Sequence, residues 1–370
     1  MRVAELTGEP ILHGGQEMFI LNLLKNISDP KIQMDVITPY NCDNSSFEET
    51  LAARSGKLIQ LGMDFSPGKS RRSLLKPVYT VLKSGGYDAV HIHSGSISVL
   101  AYCALAAHMA GCKRVIVHSH STGVPAVKHE LIKHACSPLL KAYPTDWLAC
   151  SQKAGEDKFP KNIVAKKMVV VKNGIDLQQF QRNRELGQKV RKLLGISPAA
   201  FVIGHVGRFS NEKNHLFLVD VFAAVHKQKP ESCLLLIGEG ELETTVKERV
   251  HALGLNRCVF FTGAVDNVSA YYNAMDCFAL PSLYEGFGYV LLEAEANGLP
   301  CLISNTVPDD AVLNNNVTKL PLEKSLWVEK LLQADSQERI EDQSTIIKAG
   351  FSVRETAKAV EAIYRKESAG

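Results

Sequence analysis

The chain is 370 residues long, 45% hydrophobic and 22% charged, a size and balance that point to two compact domains and exclude a short module or a disordered chain. Its mean hydropathy is −0.04, and no run reaches the roughly 18 apolar residues that a membrane-spanning helix requires. The net charge of +3 argues against a nucleic-acid binder, yet it hides a division, since residues 1–180 carry +6 and the remainder −3.

The chain opens on an acid, Glu5, and then Gly8, before the apolar stretch of a secretory signal could form, so a cytoplasmic location is expected. Nine cysteines, an odd number without a C-x-x-C pair, read as reduced core thiols rather than a disulfide frame or a zinc knuckle. Through residues 1–174, short β-branched runs alternate with segments of helical period, the pattern of a parallel sheet with crossover helices. Strands are expected at 2–6, 34–38, 57–61, 89–93, 114–119, 147–150 and 168–171, with helices near 16–27, 70–83, 97–110 and 128–141. Around the second of these helices Lys57, Lys69, Arg71, Arg72 and Lys76 crowd together with Leu74, Leu75, Val78, Tyr79 and Leu82. That mixture suits a helix resting on an anionic membrane surface, and it equally suits the solvated face of an ordinary amphipathic helix.

After Asn173-Gly174-Ile175-Asp176 the strand signal lapses over 178–192, read here as a linker. The alternation restarts with strands expected at 201–206, 233–237, 259–262, 277–280 and 301–303, and the chain closes on a helix at 353–364. The run Cys233-Leu234-Leu235-Leu236-Ile237 does not alternate, as expected of a strand covered on both faces. The sequence therefore predicts two α/β domains, 1–178 and 190–350. Open parallel sheets bind ligands outside the carboxyl ends of their strands, so the residues just after each run carry the functional argument.

The strongest of these is Pro281-Ser282-Leu283-Tyr284-Glu285-Gly286-Phe287-Gly288, continuing to Glu293, where two glutamates lie eight positions apart across a strand-to-helix turn. Gly286 and Gly288 would let the backbone approach a ligand, and a carboxylate accepts both hydrogen bonds of a vicinal diol. The structural alternative is a turn followed by a helix acid at Glu293 that complements the dipole. Gly207-Arg208-Phe209, followed by Glu212-Lys213-Asn214, offers two cations to a diphosphate, although either could serve in a surface ion pair. Gly238-Glu239-Gly240 is either an ordinary turn or a place where a nucleotide comes close to the backbone. Gly14-Gly15-Gln16-Glu17 opens the first helix without the G-x-G-x-x-G spacing, which disfavours a nicotinamide or flavin cofactor. His91 and His93 end one strand, and His118 and His120 the next, each pair on one face. No conspicuous carboxylate follows either pair, so hydrogen-bonded core histidines are preferred over a metal site, and no metal is expected.

Taken together, these segments resemble the retaining family-4 glycosyltransferases of the two-Rossmann GT-B type over nearly the whole chain, and in particular the bacterial exopolysaccharide and capsule sugar transferases. The resemblance rests on Gly14-Gly15-x-Glu17, His118-Ser119-His120, Asn173-Gly174-Ile175-Asp176 with Phe180, Gly207-Arg208 with Glu212-Lys213, Gly238-x-Gly240, and Glu285 to Glu293. It implies two Rossmann-like domains facing a cleft, with the final helix, 353–370, packing back on the first. It implies that Arg208 and Lys213 contact the diphosphate of a nucleotide-sugar, that Glu293 binds the ribose hydroxyls, and that Glu285 faces the donor sugar with the amides of Gly286, Phe287 and Gly288. Gly207, Gly238 and Gly240 line the same donor site, His120 contacts the sugar near the reacting carbon, and Gly14, Gly15 and Glu17 approach the diphosphate and acceptor.

The implied reaction moves a hexose or N-acetylhexosamine, with retention, from a UDP-sugar to a glycan or polyprenyl-diphosphate-linked acceptor, with no cofactor and no metal. The sequence contains no D-x-D triplet. The implied setting is the cytoplasm, with peripheral contact at the inner face of the plasma membrane. Glu239 stands where many relatives carry Asp, and Glu295, where Met or Gln is common, is expected to face solvent. Three rival readings remain: a nucleotide-sugar epimerase or sugar phosphorylase on the same fold, a metal hydrolase using the four histidines, and a non-catalytic partner. The joint presence of Arg208, Lys213, Glu285, Glu293 and His120 argues against the last.

Overall fold

The computed structural model describes residues 1–11, 15–41, 45–66, 70–121, 127–285 and 287–366. Within them, apolar runs bounded by turns become two all-parallel sheets. The first holds β1 (Arg2–Thr7), β2 (Gln33–Tyr40), β3 (Leu58–Met63), β4 (Ala89–Ser94), β5 (Arg114–Ser119), β6 (Asp146–Ala149) and β7 (Met168–Val170) in the order β3-β2-β1-β4-β5-β6-β7. The second holds β8 (Phe201–Val206), β9 (Ser232–Ile237), β10 (Val259–Phe261), β11 (Cys277–Leu280), β12 (Cys301–Ser304) and β13 (Val317–Leu320) in the order β10-β9-β8-β11-β12-β13. Both are doubly wound, Rossmann-like sheets whose order reverses between β1 and β4 and between β8 and β11. Those reversals are the switch points at which open parallel sheets receive ligands.

Residues 1–175 together with 350–370 form one compact unit, and 176–349 form the other. In the first, Val90, Ile92, Val115 and Val117 pack on one face beneath the helix Ile97–Ala110, while Val3, Met34, Val36 and Ile116 pack on the opposite face. The closing helix Val353–Arg365 lies against the helix Gly15–Asn26 and adds Ala357, Val360 and Tyr364 to that second face. Gly174 makes the return possible, because a Cβ there would stand 2.5 Å from the Val353 nitrogen. Glu361 secures the helix end: its carboxylate accepts from the Ser28 amide, the Asp29 amide (3.1 Å) and the Ser28 hydroxyl (3.2 Å).

Three sequence expectations change. The stretch read as a linker contains the helix Arg184–Leu194, capped by the Asn183 side chain, which accepts from the Leu186 amide at 3.0 Å. Its strand signal lapses because its period is helical: Gly187 and Val190 are its buried residues, and a Cβ on Gly187 would stand 2.1 Å from the Asn273 carbonyl oxygen. β13 was not anticipated, since a short, half-buried edge strand of sequence Val-Thr-Lys-Leu carries little apolar signal. The basic segment divides between the helical turn Arg71–Leu74 and the helix Leu75–Gly85, and its apolar residues Leu74, Val78 and Leu82 are in the core, so they are not offered to a membrane. Lys57, Arg72 and Lys76 stay exposed, Arg71 sits over the Phe65 ring, and Lys69 lies outside the described residues. All eight described cysteines are unpaired, Cys42 being outside the described residues. Among the described residues no helix is long and apolar enough to cross a membrane.

Replacing Glu361 by Ala strands two amide donors beside a helix that closes the first unit. Losing such a charged acceptor costs on the order of 1–3 kcal/mol, so Glu361→Ala should lower the unfolding free energy of the first unit, measured in denaturant, by that amount.

Candidate functional site

In the second unit, the loops after β8, β9 and β11 meet. Lys213 reaches Glu285, Nζ to Oε1 at 2.6 Å, and Ser282 donates its hydroxyl to the same oxygen at 2.6 Å. The Leu283 amide donates to the Glu212 carbonyl at 2.7 Å and the Asn214 side-chain amide to the Pro281 carbonyl at 3.2 Å, so the cation loop and the carboxylate loop are bound together. Asn214 supports this by adopting φ 57°, a left-handed conformation that Asn tolerates, between the turn Asn211–Lys213 and the helix His215–Gln228. Arg208 is different: its side chain is 72% exposed and pairs with a solvent-facing acid, Glu241, at 3.0 Å. Such a pair holds weakly, which leaves the guanidinium free to turn toward an anion.

The glycines divide by role. Gly238, at φ 132°, has its Cβ direction filled 2.2 Å away by the Gly207 carbonyl oxygen, and a Cβ on Gly240 would lie 2.5 Å from the Phe209 carbonyl oxygen. Both therefore let one loop backbone pack on another, the turn role that the sequence allowed beside a nucleotide contact. Gly207 faces His205 Nε2 and the Lys213 stem at 3.1–3.3 Å, so a larger residue there would push on the cation. Gly288 sits at φ 90° as the N-cap of the helix Tyr289–Ala296, and the Phe287 and Tyr289 rings lie 4.9 Å apart beside it. Gly286 and Gly14 lie outside the described residues.

Glu293, on that helix, is partly buried and accepts a hydrogen bond from the Tyr272 hydroxyl at 2.9 Å. Burial pushes its carboxyl up to about 7, against the smaller opposing effect of the Tyr272 hydrogen bond. Tyr272 escaped the sequence reading because it comes from the helix Val268–Ala274, where nothing distinguishes it from a core aromatic. Glu295 corrects an expectation: it is fully buried, and its Oε1 accepts from the Leu313 and Asn314 amides at 2.8 and 2.7 Å. Facing inward, it braces the segment before β13 instead of meeting solvent.

In the first unit, the corresponding switch point gathers polar residues that the sequence scattered. Gly15 begins its helix with its carbonyl accepting from the Asn173 side chain at 3.3 Å, and Glu17 is buried on the same helix. Glu9, unmarked by any motif, accepts from the Ser94 hydroxyl at 2.7 Å and the Gly95 amide at 3.2 Å, and burial raises its carboxyl. His120 stands just past β5 and is partly exposed, whereas His118 is fully buried within the strand. His120 Nε2 lies 2.9 Å from His93 Nδ1. The sequence showed no carboxylate after the histidine pairs; the structure brings one from before them, with Glu5 of β1 2.7 Å from His93 Nε2. Ring nitrogens of His91, His93 and His118 lie within 4.8 Å of one another, a spacing open to a metal. Most of these nitrogens also meet Tyr364, Glu5, His120 or one another at hydrogen-bond distance, and His118 Nε2 has no such partner among the described residues.

Residues 13–179 match the model of Glycosyltransferase Family 4 and residues 188–350 that of Glycosyl transferases group 1. The putative glycosyltransferase EpsF of Bacillus subtilis (strain 168) is 30% identical over 95% of this chain and 93% of its own length. The UDP-Gal:alpha-D-GlcNAc-diphosphoundecaprenol alpha-1,3-galactosyltransferase of Escherichia coli is 29% identical, over 85% of this chain and 82% of its own. Among solved structures, Anabaena Alr3699/HepE in complex with UDP superposes with a TM-score of 0.71 at 20% identity, covering 98% of this chain and 95% of that one, which shows the shared GT-B fold. These matches do not favour the epimerase or metal-hydrolase readings.

The raised Glu293 carboxyl has a signed consequence for stability. The folded state holds this proton more tightly than the unfolded state, so the contribution of Glu293 is fully present below its ordinary value of 4.5 and is lost as pH rises through about 7. Glu293→Gln, which still accepts from Tyr272, should match the wild type near pH 4.5 and exceed it by about 1–2 kcal/mol near pH 8 in chemical denaturation. A variant less stable than wild type at the higher pH would contradict the assignment.

Proposed function

The chain belongs to the family-4 glycosyltransferases, and we propose that it transfers a hexose or N-acetylhexosamine from a UDP-sugar, with retention and without a metal, to a glycan or polyprenyl-diphosphate-linked acceptor in bacterial surface polysaccharide synthesis. The observation that carries this reading is the Lys213–Glu285–Ser282 cluster at the switch point of the second sheet, with the exposed Arg208 beside it. Two cations at a strand end suit a diphosphate leaving group, and both contacts to Glu285 fall on Oε1, which leaves Oε2 to accept from a sugar hydroxyl. The Escherichia coli relative is named for transfer from UDP-galactose to a diphosphoundecaprenol-linked sugar, and the Anabaena structure holds UDP. Both support the choice of donor, and the first supports the choice of acceptor.

In this reading the bond from the anomeric carbon to the diphosphate breaks, and Arg208 and Lys213 stabilise the charge that gathers on the leaving oxygens. The acceptor oxygen bonds to the same face of the carbon, and its proton passes to a leaving-phosphate oxygen. Lys213 starts neutralised by Glu285, so its ammonium, with three donors, can add a phosphate contact without leaving its partner. Glu293 receives the ribose diol as a carboxylate. Bases and acids other than the substrate's own phosphate are not required.

Arg208→Ala and Glu285→Ala should each lower transfer from a UDP-sugar by roughly 10²–10³-fold, measured as acceptor-dependent product by mass; unchanged turnover in either removes that residue from the site. Because Glu293 must shed its proton to bind a diol, UDP affinity should fall as pH drops below about 7, by up to roughly ten-fold per pH unit, and Glu293→Gln should abolish that slope in calorimetry. We also propose peripheral contact with anionic membranes through Lys57, Arg72 and Lys76, which offer charge without apolar insertion. Binding to phosphatidylglycerol vesicles at low salt that is lost at high salt is expected; no binding at either salt would remove this contact.

A further inference from the structure

Glu5 is a carboxylic acid buried in the middle of an apolar strand, and nothing above uses it. Its register partner on β4 is His91, and its two oxygens lead into two chains of side chains, which also meet where His91 Nδ1 lies 3.4 Å from Oε2. Oε2 lies 2.7 Å from His93 Nε2, and His93 Nδ1 lies 2.9 Å from His120 Nε2. Oε1 lies 2.5 Å from the Tyr364 hydroxyl, which lies 2.8 Å from His91 Nδ1, and His91 Nε2 lies 3.2 Å from His118 Nδ1. Phe19 closes the cluster, its ring edge-on to His118 at 4.9 Å and near His120 at 5.2 Å. Burial holds all four imidazoles neutral, driving His91, His93 and His118 well below the usual range and His120 to about 3.

A neutral imidazole has one donor nitrogen and one acceptor nitrogen, so in a closed chain each proton dictates the next. With Glu5 ionised, Oε2 accepts from His93 Nε2–H. His93 Nδ1 is then a lone pair that accepts from His120 Nε2–H, and His120 Nδ1 is left without a proton. With Glu5 protonated on Oε1, the proton is donated to Tyr364 and the sense of the Tyr364–His91–His118 branch reverses. The His93–His120 branch keeps its direction. Only a proton on Oε2 would reverse it, and this would place an N–H at His120 Nδ1, a buried atom with no partner among the described residues. A proton on the other branch would end at His118 Nε2, which is likewise buried with no hydrogen-bond partner among the described residues. Burying an unpaired donor costs about 1–3 kcal/mol, so both reversals are disfavoured and the direction of the His93–His120 branch is fixed while Glu5 is ionised.

We propose that Glu5 is a positioning residue for His120: acting through His93, it holds that ring as the Nε2–H tautomer and leaves Nδ1 without a proton. On the reading of His120 as a donor-sugar contact, on which the functional part rests, His120 is held in place as a neutral ring and supplies no proton. Tyr364 extends the arrangement to the closing helix, since its hydroxyl meets Glu5 and His91 together.

Two-bond 1H–15N spectra of the full-length protein without substrate read each ring directly. With Glu5 ionised, above about pH 8 where burial places its carboxyl, the expected His120 pattern is a protonated Nε2 with a bare Nδ1; an Nδ1–H or doubly protonated ring there overturns the proposal. Glu5→Leu removes the acceptor for His93, so His120 should become a mixture of tautomers, and turnover should fall roughly ten- to a hundred-fold, the usual loss when a working histidine loses its orienting partner, with a smaller change in donor KM. Glu5→Gln, whose carbonyl can take the place of Oε2, should restore both. A folded Glu5→Leu protein with an unchanged His120 pattern overturns the proposal even if activity falls, and if this variant does not fold the wild-type spectrum decides. Intact transfer in His120→Ala, alongside the expected wild-type pattern, would instead overturn the reading of the site while the control of the ring by Glu5 stands.

Discussion

A parallel sheet covered by helices on both faces has no solvated face on which to carry chemistry, and this constraint governs the whole molecule. Backbone polarity is satisfied inside the ladder, side chains on both faces are committed to the core, and only the loops beyond the carboxyl ends can present charge. Both units obey this. Lys213, Glu285 and Arg208 follow β8 and β11, while Glu9 and His120 follow β1 and β5. The order reversals at β1/β4 and β8/β11 open the gaps between those loops, because consecutive crossovers leave toward opposite faces there.

The second unit holds its charge in balance before any ligand arrives. Lys213 is matched by Glu285, and Glu293 carries a carboxyl held near neutrality by burial. A diphosphate and a ribose would disturb both, one by bringing negative charge to a neutral pair and the other by rewarding loss of a proton. Arg208 is the exposed member, paired with a solvent-facing acid. On the proposed reading, binding energy is therefore drawn from groups that are already positioned, and little rearrangement is asked of the loops.

The legibility of the molecule follows from what a local pattern can report. Strands with continuous apolar runs, such as β9, were evident because burial on both faces leaves no alternation to misread. β13 and the helix Arg184–Leu194 were missed because one is a half-buried edge and the other buries only Gly187 and Val190 on its polar surface. Glu285, Glu293, Arg208 and Lys213 were legible as residue types in strand-end loops. Glu295 was misjudged because whether an acid faces outward or toward two free amides depends on a segment 18–19 residues away. Gly238 and Gly240 read equally as a turn or a nucleotide contact, and the tertiary packing shows that each accommodates a neighbouring loop's backbone.

The sequence by itself determined the class of fold, the succession of strands up to β12, and which strand ends carry acids and bases, since these depend on residue type and on periodicity over a few positions. Tertiary structure alone decided the partnerships. Glu5 meets His93 across 88 positions and Tyr364 meets His91 across 273. Those meetings require that β1 and β4 pair in one register and that the chain, after building a second unit, return its last helix to the first. Sequence periodicity cannot encode either event, because a register and a return path are set by how whole faces bury against each other.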